Sequence, residues 1–286
     1  MRLQKAAITI AIFCISLISI RAAEPHTYLR IGTFNIRYDN PKDGINRWSM
    51  RKDSIYCFLG KKQPDIIGLQ EVLHHQLQDL LTAMPNYESV GVGRDDGKTK
   101  GEYAPILYRK DKYQLLNSST FWLSEHPESA SRGWDAACTR IATWALLKDK
   151  LTGHSFFILN THFDHIGTEA RRQSALLILK QVQKFAGNYP ALITGDLNIS
   201  DQEEAYQIIT SNAFMLKDCW KIALRKEGPE YTFQDFGKRP KDKCKKIDFI
   251  FVTPQITVTH AEIIPSALSN LMYLSDHNSH FADVTF

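Results

Sequence analysis

Cysteine is scarce in this chain. There are five in 286 residues, and one of them, Cys14, lies in the N-terminal apolar run. The other four, Cys57, Cys138, Cys219 and Cys244, are too widely spaced for a zinc motif. In an oxidising compartment they could form two disulfides in three connectivities; we favour four separate thiols, with Cys57 and Cys219 buried among apolar neighbours. Repeats, low-complexity tracts and Pro/Ser linkers are absent, which excludes solenoids and loosely tethered modules. No His-Glu-x-x-His or Gly-x-Ser-x-Gly occurs. The stretch Gly91…Gly97-Lys98-Thr99 has five residues between its glycines where a phosphate loop needs four, and Asp95 and Asp96 would repel phosphate, so it reads as a surface turn. Ser275-Asp276-His277 holds triad residue types, but adjacent residues do not line up as a relay.

A real charge excess is lacking too. The formal +4 comes from 35 basic and 31 acidic residues, and Arg2, Lys5 and Arg21 lie in a segment that reads as removable. Without them the balance is 32 against 31, so composition gives no argument for nucleic-acid binding. The uncharged run Ala6 to Ile20 falls short of the roughly 20 apolar residues of a membrane span. Flanking Arg2, Lys5 and Arg21, followed by Ala22 and Ala23, make residues 1–23 a secretory signal; the competing reading is an uncleaved anchor. Bulky Phe13 argues against lipid attachment at Cys14. The expectation is an exported protein, periplasmic or secreted, with one domain over residues 24–286 and no transmembrane anchor after processing.

At 43% hydrophobic and 23% charged, the chain has a globular composition and enough length for a large core. Strands are expected over Tyr28–Ile36, Pro64–Leu69, Asn86–Val92, Ala104–Tyr108, Tyr113–Leu123, Arg140–Lys148, Ser155–His162, Pro190–Thr194, Lys246–Thr253, Ile256–Ile264 and His280–Phe286. Helices are expected over Trp48–Leu59, Val72–Met84, Thr168–Phe185 and Glu203–Ile209, with Leu176, Leu177, Leu179, Val182 and Phe185 marking the apolar face of the third. Strands mixed with helices throughout argue for an α/β fold of two packed sheets covered by helices, with the site in loops after the strands.

Polar residues stand where apolar strands end. They are Asn35 in Thr-Phe-Asn, Glu71 in Gln-Glu-Val, His162 in Thr-His-Phe-Asp-His, Asp196 and Asn198 in Gly-Asp-Leu-Asn, Asp248 in Ile-Asp-Phe, and Asp276-His277 in Ser-Asp-His. One such residue is more often a turn or cap; the combination is what signals chemistry. Glu71, Asp276 and the Asn35 amide are hard oxygen donors that favour Mg²⁺ or Mn²⁺ over zinc. Asp196 could orient or deprotonate water, and Asp248 could fix the tautomer of His277 beside a phosphoryl oxygen. Together they suggest metal-dependent hydrolysis of a phosphate ester.

The motifs TFN, QEV, THFDH, GDLN, IDFIFV and SDHNSH, in this order, resemble the endonuclease/exonuclease/phosphatase superfamily, over essentially all of Leu29 to the C-terminus. In feel the chain is most similar to deadenylase-type members and their exported bacterial relatives. The resemblance implies a four-layer α/β/β/α sandwich and attack of water on a phosphoester. It implies Glu71 as the principal metal ligand, with Asn35 and Asp276 on the metal side. It places Asp196 and Asn198 at the nucleophile, His162 at the phosphate, and Asp248 behind His277. Some relatives carry an Asp where this chain has Arg37, which puts a second metal in doubt and offers a phosphate clamp. Arg37, Arg51, Trp134, Arg140 and Asp164 are candidate substrate contacts. Trp48 and Trp134 could stack a base, although a tryptophan is more often core. Spacing does not place Glu102 and Tyr103 in or out of the cleft.

The leading expectation is an exoribonuclease-like phosphodiesterase. A basic run, Lys238, Arg239, Lys241, Lys243, Lys245 and Lys246, could serve it. The alternatives are a sphingomyelinase-like or inositol-phosphate enzyme, using Phe121-Trp122-Leu123 or Leu268…Tyr273 at a membrane, and a non-catalytic binding protein. No stable protein partner is implied beyond the phosphoester substrate.

Overall fold

The β-branched and aromatic runs of the sequence become strands because both faces of most of them are covered. In the computed structural model, residues 26–211, 216–269 and 271–286 are described, so the signal expected over 1–23 lies outside the described residues. In chain order the first elements are β1 (Tyr28–Asn35), α1 (Trp48–Lys62), β2 (Ile66–Gln70), α2 (His74–Ala83), β3 (Tyr87–Val90), β4 (Ile106–Arg109) and β5 (Tyr113–Trp122). Next come β6 (Ile141–Asp149), β7 (Ser155–His162), α3 (Thr168–Ala186), β8 (Ala191–Asp196), α4 (Glu204–Thr210), β9 (Lys217–Asp218) and α5 (Cys219–Ile222). The last are β10 (Arg225–Glu227), β11 (Asp248–Val252), β12 (Thr257–Ile264) and β13 (Ser279–Thr285).

The strands form two mixed sheets, ordered β10-β12-β13-β1-β2-β4-β3 and β5-β6-β7-β8-β11-β9. Leu29, Ile31, Ile66 and Ala282 of the first sheet meet Leu147, Ile158, Leu192 and Ile250 of the second in one core. A second core packs the outer face of the second sheet on α3 and α4, and a third packs the first sheet on α1 and α2. The order of layers is therefore α/β/β/α, as expected. A buried polar stitch joins the sheets behind the site. Gln70 donates to Asn160 Oδ1 (2.7 Å), and the Asn160 amide donates to the carbonyls of Leu69 (2.8 Å) and Pro105 (3.0 Å). Gly68 is needed there, because a Cβ would lie 2.3 Å from Thr194 Oγ1 and 2.4 Å from Asn160 Oδ1.

Register carries the polar strand ends to one edge. β1 and β2 run parallel with Asn35 opposite Gln70, and β7 and β8 run parallel with His162 opposite Asp196. β11 is antiparallel to β8, which sets its first residue, Asp248, opposite Asp196. β13 is antiparallel to β1, so the segment entering it, Ser275 to Asn278, reaches the same edge.

Two expectations are corrected. The buried face of α3 is Ala170, Ser174, Ala175, Ile178, Val182 and Ala186; Leu176 is exposed, and Leu177, Leu179 and Phe185 are only partly buried. Small residues let this helix lie close to the sheet, which a search for large apolar residues overlooks. Cys57 is exposed on α1 rather than buried, whereas Cys219 is buried as expected. All four cysteines are free thiols. The short elements β9, β10 and α5, and the 3-10 turns at Pro41–Asn46 and Lys241–Lys243, had no periodicity to betray them. Among the described residues no helix is long and apolar enough to cross a membrane.

Candidate active site

The strand-end residues converge on one cleft of about 600 Å³, lined among others by Glu71, His162, Asp196, Asn198, Asp276 and His277. Asn35 lies buried beneath it and donates from its amide to Glu71 Oε1 (3.1 Å) and Asp196 Oδ2 (2.9 Å). Asn198 N–H donates to Asp196 Oδ1 (3.0 Å), so both oxygens of that carboxylate are fixed. Three non-glycine residues here, Arg37, Glu71 and Asn198, have left-handed φ of 58°, 59° and 50°. Such backbone costs about 1–3 kcal/mol each and concentrates where the site demands it.

Asp248 anchors the imidazoles. His277 Nδ1 donates to Asp248 Oδ2 (2.8 Å), and its Nε2 stands 3.7 Å from Asp196 Oδ2. Burial alone would strip the His277 proton, but Asp248 and Asp196 overcome it and hold the ring cationic. Burial and the neighbouring Asp248 push the Asp196 carboxyl above its usual range, with His277 and Asn35 opposing. His162 goes the other way: burial, Arg140 and Arg94 keep it neutral. Its Nε2 accepts from Asn198 Nδ2 (3.1 Å), which leaves the proton on Nδ1. The edge thus carries one cationic and one neutral imidazole on either side of a carboxylate.

The metal-side residues were expected to be Asn35, Glu71 and Asp276. Glu71 Oε2 and Asp276 Oδ2 lie 3.6 and 3.8 Å from the same atom, Arg37 Nη1. Two carboxylates facing one cationic nitrogen form an oxygen cradle that fits a hard divalent cation. Burial raises Asp276, while Arg37 and His277 pull Glu71 below its ordinary value despite burial. The Asn35 amide presents its nitrogen to this cradle, and its oxygen accepts from Arg37 N–H (3.0 Å). Ligand atoms of Asp196, Asp248 and His277 also lie within 4.8 Å of one another. These three are already joined as an acid–imidazole–acid row, so the Glu71–Asp276 cradle is the better metal position.

The five substrate candidates divide. Arg37 and Arg140 line the cleft. Arg37 is half-buried and pairs with Asp43 (3.0 Å), so it does not point into solvent. Arg51 is corrected: it is wholly buried, and its guanidinium donates to the carbonyls of Asn46 (2.7 Å), Arg37 (2.6 Å), Leu274 (2.8 Å) and Ile36. Trp134 lies outside the cleft lining; its N–H meets the Glu125 carboxylate, and neighbouring Asp135 caps the start of α3 through Ala170 N–H (2.6 Å). Trp48 is core, with its indole N–H on Asp79 (2.9 Å). Asp164 stands behind the cleft. It pairs with Arg140 (3.4 Å) and accepts N–H bonds from Cys138, Ile166 and Gly167, so it both positions Arg140 and shapes the turn into α3.

Asp164 yields a pH prediction. Burial raises its pKa, but the backbone donors outweigh burial and depress it in the folded state. A depressed carboxylate stabilises the fold above its unfolded pKa of about 3.9, and that contribution fades as pH falls through the folded value. Urea midpoints of the protein and of Asp164→Asn are therefore expected to differ at pH 7 and to begin converging only as pH falls below about 4. Equal midpoints at pH 7 would contradict this.

Arg94, Tyr38, Cys138, Phe233 and Ile247 also line the cleft, as does Glu102. Arg94 and Glu102, paired at 2.7 Å, come from the loop between β3 and β4, where no strand pattern flags them. Arg239 and Lys245 of the basic run line the cleft, and Lys238, Lys241 and Lys243 are exposed beside it. Lys246 is corrected out of this patch: it turns inward to Asp218 (2.9 Å). A second cavity of about 500 Å³ shares Lys245 with the cleft but holds none of the strand-end set. Phe121, Trp122 and Leu123 are buried, which removes them as a membrane contact, whereas Leu268 and Leu271 are exposed.

Comparison with known proteins agrees with this geometry. Residues 32–277 match the model of the Endonuclease/Exonuclease/phosphatase family. A solved Bacteroides vulgatus endonuclease/exonuclease/phosphatase is 55% identical, with a TM-score of 0.88 over 90% of this chain and 98% of that one. A Bacteroides thetaiotaomicron protein described as a mannosyl-6-phosphatase is 34% identical, with a TM-score of 0.84 over 90% of this chain and all (100%) of that one. Human nocturnin is 24% identical over 264 residues, 84% of this chain but 59% of nocturnin's own length. The Drosophila melanogaster nocturnin is matched over 37% of its length, so the chain spans about half of these curated relatives.

Proposed function

This chain belongs to the endonuclease/exonuclease/phosphatase family, and from that premise we propose that it hydrolyses a small phosphorylated polyol, a sugar phosphate, in preference to a polynucleotide. Enzymes of the family are divalent-metal-dependent hydrolases of phosphoester bonds. The observation that carries the finer reading is the Arg94–Glu102 pair standing in the cleft wall beside Arg140. A carboxylate in the cleft wall disfavours a polyanion, while an Arg–Glu pair offers both donor and acceptor to hydroxyls. The mannosyl-6-phosphatase, matched end to end at 34% identity, supports the same substrate class.

In this reading Glu71 and Asp276 would hold Mg²⁺ or Mn²⁺, which would supply Lewis-acid polarisation of a phosphoryl oxygen. Asp196, fixed by Asn35 and Asn198, orients the attacking water and takes its proton. Cationic His277, held by Asp248, stabilises charge building on the phosphoryl group, and neutral His162 fixes the Asn198 side chain beside it. Arg37 and Arg140, each held by a carboxylate, present guanidinium N–H donors along the wall. The signal-like N-terminus fits a protein acting after export.

A second reading, exoribonuclease, is favoured by Arg239 and Lys245 in the cleft and the exposed lysines beside it. A panel decides between the two: mannose 6-phosphate, glucose 6-phosphate, p-nitrophenyl phosphate, oligo(A) and single-stranded DNA, each with Mg²⁺ or Mn²⁺. The proposal expects kcat/KM on a hexose phosphate at least about tenfold above that on p-nitrophenyl phosphate, and little cleavage of oligo(A). Efficient, salt-sensitive cleavage of oligo(A), with hexose phosphates untouched, would reverse it.

A further inference from the structure

Beside the cleft, Arg94, Glu102, Tyr103, Arg140, Ile141 and His162 enclose a niche of about 10 Å³. Its polar lining has unmet hydrogen-bonding capacity. Arg140 Nη1 and His162 Nδ1 belong to side chains more than nine-tenths buried, and neither makes a hydrogen bond. Arg94 Nε lacks a hydrogen bond as well. Buried donors in native proteins are satisfied almost without exception, and each one left over calls for a partner. The three residues that carry them, Arg94, Arg140 and His162, all line one niche.

The niche's size and charge define that partner. About 10 Å³ admits a single oxygen atom and excludes a phosphoryl group. Each guanidinium already has its own carboxylate, Arg94 with Glu102 at 2.7 Å and Arg140 with Asp164 at 3.4 Å. No net positive charge remains to draw an anion. A group placed there must accept from Arg140 and His162 and be tolerated by, or donate to, the Glu102 carboxylate. A hydroxyl does both; an ether oxygen or an oxyanion does not. His162 also lines the main cleft, so a hydroxyl in the niche belongs to a group bound next to the reacting phosphate.

We infer that this niche is a hydroxyl-reading subsite, with Arg94 and Glu102 as specificity-determining residues that select a leaving group bearing a hydroxyl near the scissile ester. The inference rests on the sugar-phosphate reading above and names the residues that would enforce it. A site built to hydrogen-bond a hydroxyl rejects the deoxy analogue strongly, because buried groups are left unpaired.

The test is a cycle between substrate and protein, read as kcat/KM. The holoenzyme, Glu102→Gln and Arg94→Lys are each assayed on mannose 6-phosphate and on its monodeoxy analogues, with thermal midpoints confirming the fold. One analogue is expected to lose about 10- to 100-fold with the unaltered protein. With Glu102→Gln the parent sugar loses a similar factor, and parent and analogue then fall within about threefold of each other. A purely structural role for Glu102 would lower both substrates equally and keep the discrimination; that result, or an unaltered protein indifferent to every deoxygenation, overturns the subsite while leaving sugar-phosphate hydrolysis standing. If only RNA is cleaved, the proposed function falls, and the same comparison between ribo- and deoxyribo-oligonucleotides decides the niche.

Discussion

Asp196→Asn is expected to lower kcat by about 10³–10⁴-fold while KM changes little. The substitution preserves shape and removes one proton acceptor. In the fold Asp196 Oδ2 accepts from Asn35 and faces both His162 and His277 at 3.5 and 3.7 Å, and Oδ1 accepts from the Asn198 backbone. This arrangement gives the carboxylate one direction in which to receive a proton. An amide in its place must also turn an N–H toward one of these donors, so orientation and basicity are lost together. The expectation is separable from unfolding, because the thermal midpoint should stay close to that of the parent. A fall of less than about tenfold would mean that Asp196 is scaffolding and that the base lies elsewhere.

Arg51→Met is expected to destabilise the fold by about 3–5 kcal/mol, the largest stability effect of any single change considered. The wholly buried guanidinium satisfies carbonyls of Asn46, Arg37, Ile36 and Leu274. Each carbonyl left unsatisfied costs about 1–3 kcal/mol before rearrangement recovers part of it. Methionine fills the space but donates nothing. Burial lowers the Arg51 pKa to about 10, with Asp276, Asp43 and Glu71 opposing, so the group remains charged at neutral pH. The four carbonyls lie on the loop leaving β1 and on the segment leading to Ser275-Asp276-His277, so activity should fall as a secondary effect. Chemical denaturation checks this: a loss under about 1 kcal/mol would contradict it. Arg51→Lys should fall between the two, since a lysine keeps the charge without the planar fork.

Arg51 also shows where sequence reading reaches its limit. From position alone it resembles a substrate arginine just past a catalytic strand. It lies on α1 at the spacing of Trp48, Ile55 and Leu59, the inward face of that helix. Periodicity therefore held the answer, but an arginine on a buried face is rare enough that a substrate contact is the more natural reading. The strand-end set is legible for a topological reason. Asn35, His162 and Asp196 end parallel strands, and Asp248 and the segment before β13 begin antiparallel ones, so alternation of strand direction brings all of them to one edge. Glu71 follows the same rule one residue past β2. Arg94 could not be read in this way. It reaches the cleft from a long loop between β3 and β4 whose path no local pattern encodes, and the same holds for Phe233 after β10. The rotation of α3 is hard to read because four of the six residues on its contact face, Ala170, Ser174, Ala175 and Ala186, weigh little in a hydrophobic pattern.

Phosphate release from mannose 6-phosphate tests the central claim most directly. It should be followed with Mg²⁺, with Mn²⁺ and with excess EDTA, for the parent protein, Glu71→Gln and His277→Ala. Turnover is expected with at least one of the two cations. It should be abolished by EDTA, restored by added metal, and reduced by at least about 10²–10³-fold in both variants. EDTA-resistant turnover, or full activity without the Glu71 carboxylate or the His277 imidazole, would contradict a metal-dependent phosphoesterase built on this strand-end set.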